Sequence, residues 1–165
     1  MSIAQKLYEQ GHISYMRTDS PTLGDEAREA LYAEIKTLYG TEYVTPRVYA
    51  TKSKTAQEAH EAIRPTRMSA TTAGSAPEQK KLYELIRART LASQMADAKI
   101  LRTKVSANIT AEAETIPNFS MNGSVVLFPG WLVADPAARG EDTELPKLTA
   151  HESLQLHDIT GQAKQ

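Results

Sequence analysis

Tyr15, Arg17 and Asp19 sit two residues apart in the run Ile13-Ser14-Tyr15-Met16-Arg17-Thr18-Asp19-Ser20. These are the side-chain types that a covalent attack on a phosphodiester requires. The phenol supplies a nucleophilic oxygen, the guanidinium a fork for the phosphate, and the carboxylate a group to orient either. In an extended segment all three project from one face, because side chains alternate with a period of two. A tyrosine phenol ordinarily ionises near pH ~10, so about one part in a thousand is phenolate at pH 7. A neighbouring arginine favours the phenolate and also neutralises the non-bridging oxygens as charge builds. A tyrosine in a strand is more often plain core or surface, and the triplet alone leaves that reading open.

A second run, Gln57-Glu58-Ala59-His60-Glu61-Ala62-Ile63-Arg64-Pro65, carries a different pattern. Read as a short helix beginning after Thr55, it places Gln57, His60, Glu61 and Arg64 on one polar stripe. Ala56, Ala59 and Ile63 fall on the other side, and Pro65 limits the helix. Such a stripe is either a solvated face or a catalytic ledge. Glu58, His60 and Glu61 are metal-ligand types, but the metalloprotease spacing needs histidine at position 64, where arginine stands.

Taken together, the two runs resemble the type IA DNA topoisomerases, the bacterial topoisomerase I group in particular. Tyr15-Met16-Arg17-Thr18-Asp19-Ser20 is similar to that family's active-site tyrosine motif. Gln57 to Pro65 is similar to its second signature, in the same order and at a similar separation. The resemblance implies that Tyr15 forms a 5′-phosphotyrosine and frees a 3′-hydroxyl, and that religation reverses the step without ATP. It implies that His60 assists at the scissile phosphate, that Asp19 orients Arg17 or His60, and that Arg17, Thr18, Ser20, Gln57 and Arg64 contact DNA. The substrate implied is a single-stranded segment of DNA. The Mg2+ of the intact enzyme is implied to sit on an acidic cluster of a separate domain, not on these residues. The expectation is therefore a domain fragment that needs the remaining domains of the enzyme and does not relax supercoils alone. The reading of a different class is a non-catalytic winged-helix DNA-binding module.

Composition permits this. The chain has 165 residues, 41% of them hydrophobic and 24% charged, ordinary values for a folded protein with a real core. The absence of cysteine excludes disulfides and thiolate metal sites. With no transmembrane-length apolar run and no signal pattern, a cytoplasmic location is expected and a membrane partner is not. The net charge of −1 is low for a nucleic-acid protein, but it is unevenly spread. Residues 46–67 hold Arg47, Lys52, Lys54, Arg64 and Arg67 against Glu58 and Glu61, enough for a small basic groove on a neutral body.

The elements that must position these groups are mainly helical up to residue 97. A helix over 3–10 closes on Gly11, with Ile3, Ala4, Leu7 and Tyr8 as its apolar stripe. Ile13–Arg17 reads as a short extended segment. A turn at 20–24 leads to a helix from Asp25 to about Tyr39, with Ala27, Leu31, Ile35 and Leu38 inward and Gly40 as its stop. Residues 68–76 read as an exposed loop, and Pro77 opens a helix to about Met95 with Leu82, Leu85, Ile86, Arg89 and Met95 on one face.

From residue 98 the pattern changes. Leu101, Thr103, Val105, Ala107 and Ile109 alternate with polar neighbours as in a half-buried strand. Phe119–Phe128 is extended around Asn122-Gly123, a hairpin signal, whereas the resemblance implies one long strand with a glycine in it. Leu154, Leu156 and Ile159 suggest a last strand. Trp131 reads as core packing ahead of a base-stacking platform. The fold class expected is α+β. Residues 1–97 form a winged-helix-like (CAP-like) tyrosine domain by resemblance, and 98–165 an antiparallel β region belonging to the family's arch.

Overall fold

The computed structural model describes residues 2–49, 60–109, 118–155, 157, 158, 160 and 161. Three helices and a two-stranded antiparallel sheet make up its regular structure. Helix α1 runs from Ser2 to Glu9, and Gly11 reverses the chain at φ +73°, a value that costs glycine nothing. His12 N then donates to Leu7 O at 2.9 Å, which folds the chain back along its own helix. That reversal buries Leu7 and Ile13 side by side, against Tyr83 of the third helix.

Helix α2, Asp25–Tyr39, begins with two acids where the helix dipole favours them and ends at Gly40 with φ +108°. Ala27, Leu31 and Ile35, four apart, are its buried face. Leu38, expected inward, is 46% exposed, because the stripe continues to Tyr39, which packs on the core instead.

Helix α3, Pro77–Ser93, starts at the expected proline. Its buried positions are Gln79, Tyr83, Thr90 and Leu91, while Leu85 is 54% exposed and Arg89 faces outward. Leu85 and Arg89 thus fall outside the expected face, whereas Leu82 and Ile86 pack on the Leu7–Ile13–Tyr83 cluster and Met95 is buried; three of the helix's inward residues are polar and satisfied internally. Gln79 Oε1 accepts from Ser75 N, Ser75 Oγ and Ala76 N at 2.8–3.0 Å. Tyr83 Oη donates to Arg67 O or Ala70 O, and Thr90 Oγ1 to Ile86 O. The stretch 68–76 is likewise no simple exposed loop. Met68 is buried, and Ala70 and Ala73 pack on the Leu7–Ile13–Tyr83 cluster. Arg87 ties it down, donating to Met68 O at 3.1 Å and pairing with Glu34 of α2 at 2.8 Å.

The larger core joins Leu23, Leu31, Ile35, Met68, Leu91 and Met95. Trp131, Val133 and Ala134 pack against it from the far end of the chain. Their approach depends on Gly130, at φ +49°, where a Cβ would lie 2.5 Å from Ala96 O.

Strands β1 (Lys99–Ala107) and β2 (Phe119–Phe128) pair in antiparallel register from Lys99–Phe128 to Ala107–Phe119. Asn122-Gly123 makes no hairpin. Gly123 pairs with Thr103 inside one continuous strand, and a Cβ there would meet Leu145 and Thr143 O within 2.8 Å. The expected half-buried alternation is absent: residues 99–104 are exposed on both faces. No last strand forms at Leu154, which is 54% exposed, and Leu156 and Ile159 lie outside the described residues.

Candidate active site

The backbone of residues 12–14 meets that of 62–66 in a short clamp. Ile13 bridges Pro65, Ser14 N donates to Arg64 O at 2.9 Å, and Thr66 N to His12 O at 3.0 Å. Ser14 adds its side chain, with Oγ donating to Ala62 O at 2.8 Å and accepting from Arg64 N at 2.9 Å. Two segments some fifty residues apart are thus fixed on either side of one serine. Thr66 Oγ1 donates to Gly11 O at 2.7 Å and closes the lower end.

The clamp brings Tyr15 and His60 together. Their rings stack with centroids 4.9 Å apart and planes at 29°. Tyr8 of α1 also meets Tyr15, edge to face, at 5.4 Å and 75°. The phenol ring thereby has two aromatic neighbours, while the residue remains partly exposed. His60 Nδ1 is buried and has no hydrogen-bond partner among the described residues. A buried polar atom left unpaired costs about 1–3 kcal/mol.

The other expected residues are distributed differently. The extended segment is a single bridge at Ile13 followed by bends at Met16 and Arg17, because the Ser14 clamp stops the ladder after one pair. The strict two-residue alternation does not hold. Arg17 and Asp19 are exposed, and among the described residues neither forms an ion pair or hydrogen bond with the other. Thr18 Oγ1 accepts from Ser20 N at 3.0 Å and Ser20 Oγ from Thr22 N at 3.3 Å, so both hydroxyls shape the turn beyond the tyrosine.

Residues 60–64 are not helical, so the polar stripe does not exist in that form. Gln57 and the rest of 50–59 lie outside the described residues. The reason at 60–64 lies in partners distant in sequence: Ala62 N donates to Thr22 O, and Ala62 O and Arg64 N are taken by Ser14, which leaves no helical ladder. Arg64 turns its fork on Glu61, Nε to Oε2 at 3.0 Å and Nη2 to Oε1 at 2.7 Å, and Nη1 donates to Pro65 O. Glu61 also accepts from Gly24 N at 3.4 Å. Among the described residues Arg17 forms no ion pair, whereas Arg64 is paired with Glu61.

Sequence reasoning missed Tyr8 and Ser14 as parts of the candidate site, and it placed Glu61 on the polar stripe without foreseeing its pairing with Arg64. Ser14 stood beside the tyrosine in the motif; Tyr8 carried no signal beyond its place on α1. Among the described residues no three His, Asp or Glu side chains gather to hold an ion, so they do not fit a Mg2+ site. No helix among them is long and apolar enough to cross a membrane.

Comparisons with known proteins point the same way. A family model described as DNA topoisomerase matches residues 1–165. DNA topoisomerase 1 of Streptomyces coelicolor is 45% identical over 97% of this chain and 18% of its own length. DNA topoisomerase 1 of Synechocystis sp. is 44% identical over 96% of the chain and 19% of its own. The full-length topoisomerase I structure from Thermotoga maritima superposes with a TM-score of 0.70 at 33% identity, covering 90% of this chain and 25% of that one. The chain spans about one fifth of the length of the curated relatives it matches.

Proposed function

This chain belongs to the bacterial type IA DNA topoisomerases, and on that premise we propose that Tyr15 breaks one DNA strand by transesterification. The observation that carries the proposal is the 4.9 Å stack of Tyr15 on His60, two residues that only the fold brings together. In the step proposed, Tyr15 Oη loses its proton and bonds to phosphorus. The P–O3′ bond breaks, and the leaving oxygen departs as a 3′-hydroxyl. The product is a 5′-phosphotyrosine. One phosphoester replaces another, so the reverse attack by the 3′-hydroxyl reseals the strand without an energy source.

Arg17, exposed and without an ionic partner among the described residues, is assigned the non-bridging oxygens, where a guanidinium fork neutralises charge as it builds. His60 is assigned the scissile phosphate beside the phenol, and Asp19 the orientation of Arg17 once DNA has drawn that arginine inward. Thr18, Ser20, Gln57 and Arg64 are proposed to lie along the DNA backbone. Arg64 also braces the 60–65 segment through Glu61.

The rest of the reading is proposed on the same family premise. Residues 1–97 form the winged-helix-like tyrosine domain and 98–165 part of the arch. The substrate is a single-stranded stretch of negatively supercoiled DNA in the cytoplasm. Mg2+ belongs to a domain outside these residues, and this chain alone does not relax DNA.

The test is a chimera in which residues 1–165 replace the matching segment of the Streptomyces coelicolor relative. The chimera should relax a negatively supercoiled plasmid, and its Tyr15→Phe form should not. Relaxation by the phenylalanine form would overturn the assignment of Tyr15 and favour a DNA-binding module. Relaxation by the 165-residue chain alone would overturn the dependence on other domains.

A further inference from the structure

Beyond the Tyr15–His60 site, the C-terminal end of α3 borders an open depression of about 410 Å³ lined by Pro21, Arg47, Tyr49, Arg89, Asp97 and Trp131 among others. We propose that this depression is a second contact site for single-stranded DNA, with a base stacked on Trp131 or Tyr49 and its phosphate on Arg89 and Arg47.

The walls of the depression are built rather than incidental. Gln94, 1% exposed, uses its buried amide to hold the backbone of Arg47 in both directions. Its Oε1 accepts from Arg47 N at 2.9 Å and its Nε2 donates to Arg47 O at 3.1 Å. Two residues on, Tyr49 Oη donates to Ser93 O at 2.9 Å, which fixes the ring against the helix end. From the other side, Gly130 lets the chain pass close over Ala96, and Trp131 N donates to Ala96 O at 2.9 Å. Two arginines and two aromatics from three segments therefore face one open concavity.

Their chemistry fits a single strand. Aromatic faces accept any base, and arginines take the phosphates between bases. Arg89 is 66% exposed along its side chain, and its ion pair with Asp135 is long, at 3.5 Å, so the guanidinium keeps donors for a phosphate. Arg47 is paired with Asp97 at 2.7 Å, but that carboxylate is 78% exposed, and such pairs yield readily to a competing anion. The depression is also tied to the clamp through one residue. Thr22 O accepts from Ala62 N beside His60, while Thr22 Oγ1 donates to Tyr49 O at 3.0 Å, so one residue spans the clamp and the depression.

The inference takes DNA as ligand from the proposed function, and its test does not depend on cleavage. Trp131 is the chain's single tryptophan and reports on the depression directly. Oligothymidylate is titrated into the 165-residue chain at low salt, following tryptophan emission and the anisotropy of a dye on the DNA. Emission should be quenched in step with the anisotropy rise. Arg89→Ala should weaken both and lower the log–log salt slope by about 0.7. Tyr49→Ala should weaken binding about tenfold. An anisotropy rise with unchanged emission, or quenching that survives Arg89→Ala undiminished, overturns this site while leaving the Tyr15 chemistry intact. Absence of any binding overturns it as well, whereas the chimera tests the chemistry separately.

Discussion

The helical body and the β ribbon of this chain solve the problem of burial in opposite ways. In the body, α1, α2 and α3 enclose Leu7, Leu31, Ile35, Leu91 and Met95 almost completely, and the connecting loops are bonded down onto that core. In the ribbon, Ile100, Leu101, Phe119, Met121 and Leu127 remain 41–65% exposed, although all nine residues of β1 are paired. Backbone pairing alone supplies little stability in water, because a two-stranded sheet has no layer to bury its side chains against. The site is found where loops rest on a core, since only there can a tyrosine and a histidine 45 positions apart be held at a fixed separation.

That contrast is broken or sharpened by substitution. Leu91→Ala or Leu31→Ala should cost about 2–5 kcal/mol in urea unfolding, as buried leucines do. Leu101→Ala in the ribbon should change stability by less than about 0.5 kcal/mol. Equal losses would mean that the ribbon is packed in solution. Ser14→Ala removes a donor to Ala62 O and an acceptor for Arg64 N at the hinge of the clamp. It should cost about 1–3 kcal/mol in unfolding and reduce relaxation by the chimera further than its stability loss explains. A stability loss with full activity would show that the clamp does not place His60.

The smallest effect expected is alkaline. Burial pushes the Tyr83 phenol above its ordinary range. The unfolded chain then releases that proton first, so folding stability is intact below pH ~10 and falls as pH rises past it. Tyr83→Phe should be less stable at neutral pH, having lost the hydrogen bond to Arg67 O or Ala70 O, yet show a shallower decline above pH ~10. Parallel curves for the two proteins would assign the decline to other tyrosines.

Much of the body was legible in the sequence, because its helix ends carry strong local chemistry. Gly11 and Gly40 adopt positive φ, and Pro77 sits at a helix start. What was not legible depended on partners distant in sequence. The stretch at 60–64 has a helical pattern, but its backbone groups are taken by Ser14 and Thr22. Leu85 looks like a core residue, yet Gln79 and Thr90 take the inward face because loop and helix carbonyls and amides satisfy them. Asn122-Gly123 signals a turn; the glycine is there because Thr143 O and Leu145 cover it. Within the site, Tyr15, Arg17 and His60 were readable as types at a spacing. The ring stack, the third ring of Tyr8 and the diversion of Arg64 onto Glu61 needed the fold.

The most direct measurement traps the chimera on a labelled oligonucleotide, digests both components and localises the remaining 5′-phosphonucleotide by peptide fragmentation. Trypsin leaves Tyr8 and Tyr15 on one peptide, Leu7–Arg17, so the fragment ions must separate them. The account predicts the added mass on Tyr15, and its loss in Tyr15→Phe. The mass on Tyr8 or on any of the chain's other tyrosines would contradict it.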